Sequence, residues 1–196
     1  MVLNKFKDKF WKFWKFLNED TWQALLVSLV LAFLIIKLVL FPLLSFFTGT
    51  GLPLVIVESC SMHHPEKGFD KTFESGFYEN YNLSLANTSN WIFKNGFGKG
   101  DIIFVVGPKN IKVGDVLIFD SRGGAPHPII HRVIYANETY FTKGDNPETN
   151  NGVAPFEKNI QQNQLLGKAV FKIPYLGWIK LLFFDWTNPP SRRGFC

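Results

Sequence analysis

Positions 22–47, WQALLVSLVLAFLIIKLVLFPLLSFF, constrain this chain more than any other stretch. A helix crossing the hydrocarbon layer needs about 20 apolar residues at about 1.5 Å rise each. Residues 22–41 supply that length with one charge, Lys37, close enough to the far end for its stem to reach the interface. A secretory signal peptide also begins basic and turns apolar, but its apolar core is shorter, about 7–15 residues, and a small-residue cleavage site follows. Here the run is longer and SFFTGTGLP is a poor cleavage site, so the stretch reads as an anchor. Lys5, Lys7, Lys9, Lys12 and Lys15 precede it and face only Asp8. The positive-inside rule then puts the N-terminus in the cytoplasm and everything from about residue 48 outside.

Residues 1–20 alternate lysine with Phe and Trp, and Phe6, Phe10, Phe13 and Leu17 recur on one side of a helix. That pattern predicts a basic amphipathic segment at the headgroup level, with residues 21–47 as the transmembrane anchor and lipid bilayer as a partner. The formal charge of +5 gathers in this segment, and no basic run recurs downstream, which argues against nucleic-acid binding.

Beyond the anchor the period changes. LPLVIVES, DIIFVVG, DVLIFDS, PIIHRVIY, ETYFTKG and LLGKAVFKI are short apolar or alternating runs bounded by Gly, Pro and Asn. They predict a mainly β domain over residues 48–196. Residues 68–99 show no clean period and read as an insertion, whose aromatic content calls for packing on lipid or on the domain itself. IPYLGWIKLLFFDW is too short to span and suits an interfacial or packed edge. Two cysteines, Cys60 and Cys196, form neither a disulfide framework nor a metal-ligand spacing.

Ser61 closes the SCS of VIVESCSMHHPEKG, directly after a β-branched run. A serine hydroxyl is a poor nucleophile until a neighbouring base takes its proton, so Ser61 needs a histidine. There are four: His63, His64, His127 and His131. His63 and His64 are too close in sequence for both to reach Ser61, and His127 sits between two prolines. His131, in IIHRVI, falls on the same strand face as Ile129 and Val133, where a buried structural histidine is the competing reading. Spacings among the histidines and acids match no standard metal site, and neither metal nor cofactor is expected.

An anchor, then SCSM, a Gly-Asp strand pair, HRVI and TKGDN, in this order, resembles a type I signal peptidase. The similarity is closest to the archaeal and endoplasmic-reticulum branch, where histidine stands in place of the bacterial lysine. It covers residues 52–67 and about 97–180. The resemblance implies a signal-peptidase-like (LexA-like) β catalytic domain and a serine endopeptidase that removes signal peptides from secretory preproteins at the extracytoplasmic face. It also implies a possible association with the secretion translocon. It makes Ser61 the nucleophile, His131 the general base and Asp145 the carboxylate that holds the histidine, with Ser59 and the Ser61 N–H in the oxyanion hole. Lys143, two residues from Asp145, does not match the bacterial lysine. Further departures stand out: Cys60 replaces a glycine, an extra histidine precedes Pro65, and Asn151 stands where the family often carries a second aspartate. A catalytically inactive membrane-anchored β-domain, acting as a translocon-associated or surface-binding module, shares every feature except the need for the three residues together.

Overall fold

The computed structural model describes residues 2–64, 68–74, 76–187, 189 and 193–196; Pro65, at the end of the SCSMHHP motif, lies outside them. The chain divides into two compact units, one ending at Phe47 and the other running Thr48–Cys196.

The first unit is helical: α1 (Val2–Leu17), α2 (Trp22–Ile35), a π-turn (Ile36–Leu40) and α3 (Phe41–Thr48). Thr21 caps α2, its hydroxyl accepting the Ala24 N–H at 3.2 Å. Pro42 has no N–H to donate and its ring crowds the carbonyl four residues back, that of Leu38. The turn around Leu38 widens to the π form, which keeps the helix continuous. Trp22–Thr48, 27 residues, is long and apolar enough to cross a membrane.

The second unit is mostly β. Its strands are β1 (Leu54–Ile56), β2 (Ile102–Val106), β3 (Val116–Phe119), β4 (Ile129–Ala136), β5 (Tyr140–Lys143) and β6 (Leu165–Ile173), one in each of the six runs read from the sequence. They form one antiparallel sheet in the order β1-β2-β6-β3-β4-β5. Alternation sets the core: in β2, Ile103 and Val105 are buried while their neighbours are half-buried. Ile103 and Val105 join Val57, Met62, Phe97, Val116 and Ile118 in one apolar cluster. Leu117, Phe119, Val133 and Ile160 make a second. Val57 and Met62 bracket the SCS sequence, so both flanks of that loop are sunk in the core.

The 68–99 region is built from 3-10 turns at Phe69–Phe73, Phe77–Tyr81 and Leu85–Thr88. Turns of three to five residues carry no helical period, hence its aperiodic sequence. It packs on its own domain through a buried cation. The Arg132 guanidinium carbon lies 5.4 Å from the Phe69 ring centre and 5.3 Å from that of Trp91. All five guanidinium N–H groups are used: Nε and Nη2 reach Asp145, Nη1 the Ile92 and Gly114 carbonyls, and Nη2 also the Phe93 carbonyl. Gly114 is required here, since its φ is +95° and a Cβ would lie 2.3 Å from the Trp91 ring.

Arg132 and Asp145 are both at 0% exposure. Burial alone pushes the Asp145 carboxyl up, but the Arg132 charge and hydrogen bonds from His64 and Arg132 outweigh it and hold the group at about 2. In the unfolded chain the same carboxyl titrates near its ordinary value of about 3.9. The resulting contribution, about 2 kcal/mol, is complete above about pH 4 and lost as the pH falls through about 2. Arg132→Met leaves Asp145 buried without its counter-charge and is expected to cost about 3–5 kcal/mol. Denaturant unfolding of the full chain in detergent measures this loss. Acid titration of the wild type measures the linked decline.

Candidate active site

β1 ends at Ile56, and Val57 enters the core as its N–H donates to the Asp101 carbonyl at 2.9 Å. Glu58 and Ser59 then emerge, and a turn closes from Cys60 to His63 with His63 N–H on the Cys60 carbonyl at 3.0 Å. Met62 is fully buried, so it roots the turn, while Ser61 stays half-exposed. The Ser59 and Ser61 hydroxyl oxygens are 3.2 Å apart.

Asn146, of TKGDN, fixes the turn from the other side. Its backbone N–H donates to the Ser61 carbonyl and its side-chain amide to the Cys60 carbonyl, both at 2.9 Å. Gly144 makes room for this approach, because a Cβ there would lie 2.8 Å from the Ser61 carbonyl oxygen and 2.6 Å from Asn150. The β4–β5 register pairs Arg132 with Lys143 and Val133 with Thr142. The Ser61 carbonyl lies where a side chain at 144, one residue past the end of β5, would be.

His131 is buried, and its Nδ1 is hydrogen-bonded to Glu157 Oε1. With a carboxylate accepting at Nδ1, that nitrogen carries the proton of the neutral ring and Nε2 presents a lone pair. Glu157 is absent from the sequence reading. It ends the 3-10 turn Pro155–Glu157, and its Oε2 accepts the Ala154 N–H at 2.9 Å. The signal that points to it is a deficit: with Asn151 in place of a second aspartate, the acids downstream of Asp145 are Glu148, Glu157 and Asp185.

Asp145 lies elsewhere. Beside Arg132, its Oδ2 accepts from His64 Nε2 at 3.1 Å, while His64 Nδ1 is 2.7 Å from the Lys94 carbonyl oxygen. So the structure brings Ser59 to Ser61, His131 to Glu157, and Asp145 to Arg132 and His64. It does not join Asp145 to His131, and no Ser61–His131 hydrogen bond exists among the described residues. Catalytic hydrogen bonds often tighten only when substrate is bound. Lys143 Nζ donates to the Gly144 carbonyl at 2.9 Å and lies over the Phe77 and Tyr78 rings. Burial pushes the Lys143 ammonium down, against the opposing pull of Asp145 and Glu157.

One reading of the sequence is corrected. Cys60 and Cys196 form a disulfide, with Cα atoms 5.4 Å apart. The Cys196 segment is held in place by Phe195 against Trp178, by the Lys99 N–H on Cys196 Sγ at 3.1 Å and by the Gly194 N–H on Asp185 at 3.0 Å.

An apolar helix long enough to cross a membrane, followed by an antiparallel β domain that holds a close serine pair and a buried histidine–carboxylate pair, is the frame in which the comparisons with known proteins are set. No family model matches the chain. Among curated proteins it is similar to three described as signal peptidase complex catalytic subunit SEC11. The Plasmodium falciparum protein is 25% identical over 167 residues, 81% of this chain and 71% of the relative. The Candida tropicalis protein is 33% identical over 98 residues, 45% of this chain and 58% of the relative. The Komagataella phaffii protein is 26% identical over 124 residues, 56% of this chain and 72% of the relative. The chain is thus similar to signal peptidase complex catalytic subunits, consistent with the endoplasmic-reticulum-like branch of the type I signal peptidases.

The disulfide closes a loop across a sequence separation of 136 residues, so reducing it frees a large amount of unfolded-state entropy. Cys60→Ser, Cys196→Ser and reduction of the wild type are each expected to lower unfolding stability by about 2–5 kcal/mol. Denaturant midpoints with and without reductant check the size, and thiol labelling checks the bond.

Proposed function

We propose that this chain is a membrane-bound serine endopeptidase that removes N-terminal signal peptides from exported proteins, with its β domain on the extracytoplasmic side. The observation that supports the reading is the seating of Ser61: a turn rooted by Met62 and pinned by Asn146, which directly follows the β5 end, presents its hydroxyl beside Ser59.

In this reading Ser61 Oγ attacks the scissile carbonyl and its proton passes to His131 Nε2. The carbonyl π electrons move onto oxygen, and the oxyanion accepts hydrogen bonds from the Ser61 N–H and the Ser59 hydroxyl. Collapse expels the amine, which takes the proton from His131. Water, deprotonated by the same nitrogen, then releases the acyl group from Ser61. Asp145 acts on the other partner: through His64 and the neighbouring Asn146 it holds the Ser61 turn. The outer edge of β1, just before Ser59, suits an extended peptide added as a further strand. The anchor tethers the domain to the bilayer from which such a peptide emerges.

Cleavage of a labelled precursor bearing an Ala-x-Ala site, in liposomes, tests the reading. The wild type is expected to cut once, after the second alanine. Ser61→Ala and His131→Ala are each expected to lower kcat at least roughly a thousandfold with the fold intact by near-ultraviolet circular dichroism. Full activity in Ser61→Ala would sink the serine mechanism. A folded wild type that cuts no precursor would favour a non-catalytic binding module.

A further inference from the structure

We infer that Glu157, and not the aspartate of TKGDN, is the positioning residue of His131; the inference rests on the serine–histidine reading above. An orienting carboxylate has to meet three conditions: contact with the imidazole nitrogen opposite the reacting one, a fixed position, and negative charge not already cancelled by a stronger partner. Glu157 meets all three. Its Oε1 accepts the hydrogen bond from His131 Nδ1, and both side chains are buried.

The carboxylate is fixed by its own turn. Oε2 accepts the Ala154 N–H, and the Glu157 N–H returns to the Ala154 carbonyl at 3.0 Å. Pro155, at the first position of the turn, restricts its backbone. Phe156 lies where a side chain at Gly124 would be. Three residues on, Ile160 exchanges both backbone hydrogen bonds with Tyr140, at 2.9 and 3.0 Å, which docks the segment on the β5 edge. That docking delivers Glu157 across β5 to His131 on β4.

Asp145 fails the first and third conditions. Both its oxygens accept from the Arg132 guanidinium and one also from His64, so its charge is matched by a buried cation. Glu157 is the carboxylate left to stabilise the imidazolium formed when Ser61 gives up its proton. The family's second aspartate, replaced here by Asn151, thus has a successor of different type six positions further along the chain.

The test compares Glu157→Gln, Glu157→Asp and Asp145→Asn in the full chain, by precursor cleavage and by proton NMR of the detergent-solubilised protein. Wild type should show a low-field imidazole N–H resonance that disappears in His131→Ala. Glu157→Gln should shift that signal upfield and lower kcat roughly 10²–10⁴-fold with KM within about twofold. Glu157→Asp, which keeps the charge but shortens the reach, should fall between, and it decides the matter if the glutamine variant does not fold. Asp145→Asn should lower the unfolding temperature and keep the signal. The inference is overturned if Glu157→Gln leaves signal and kcat as in wild type, or if Asp145→Asn alone removes the signal. The resonance needs no turnover, so a wild type that cuts no precursor defeats the proposed function while the NMR arm still decides this pairing.

Discussion

The buried Arg132–Asp145 ion pair is the contact on which the rest of this domain leans. Desolvating two charges costs several kcal/mol each, and close geometry with full hydrogen bonding is what offsets that cost. Here the offset recruits the neighbourhood. The guanidinium draws in carbonyls from positions 92, 93 and 114, and two aromatic rings from the 68–99 region cover its faces. The carboxylate takes His64, and the Asp145 carbonyl takes the Thr72 hydroxyl at 3.1 Å. A charge pair of this kind contributes less through net energy than through the single arrangement it permits. That arrangement sets the height of the Ser61 turn relative to β4.

The two histidine–carboxylate pairs divide the work between them. His64–Asp145 lies on the serine side and ends in a cation, so its charge is spent on holding backbone. His131–Glu157 lies on the strand, and among the described residues no Lys or Arg lies within 4.0 Å ion-pair distance of its carboxylate. Adjacent positions on β4, His131 and Arg132, send their side chains to opposite faces. One strand thereby keeps the histidine–carboxylate pair of the candidate site and the buried ion pair apart by nothing more than the β period.

All six strands were readable, because each is a short apolar or alternating run between Gly, Pro or Asn, and both faces of the sheet need such residues. Ser61 and His131 were readable as candidates through residue type and position at strand ends. The TKGDN motif was visible, but not that Asn146 would carry the contact to the serine turn, since hydrogen bonds to backbone carbonyls leave no trace in composition. Glu157 was hidden for a similar reason: VAPFEKN is an aperiodic stretch, and its 3-10 turn aims a carboxylate only once Ile160 has docked on β5. Cys60 and Cys196, far apart and only two, offered no spacing to interpret, and their pairing depends on how Phe195 seats against Trp178.

The strand order has a consequence in time. β6, the last strand in sequence, sits between β2 and β3 and is the only strand that joins the β1–β2 ribbon to the β3–β4–β5 meander. The serine loop hangs from one of these pieces and His131 from the other. During synthesis from the N-terminus neither piece can find its final register against the other until residues 165–173 have been made. A sheet with contacts this distant in sequence also pays its loop-closure entropy late and folds slowly. The Ser61 loop and the His131 strand are therefore brought together as one of the final acts of folding, and the growing chain passes through its early life with the two halves of the candidate site apart.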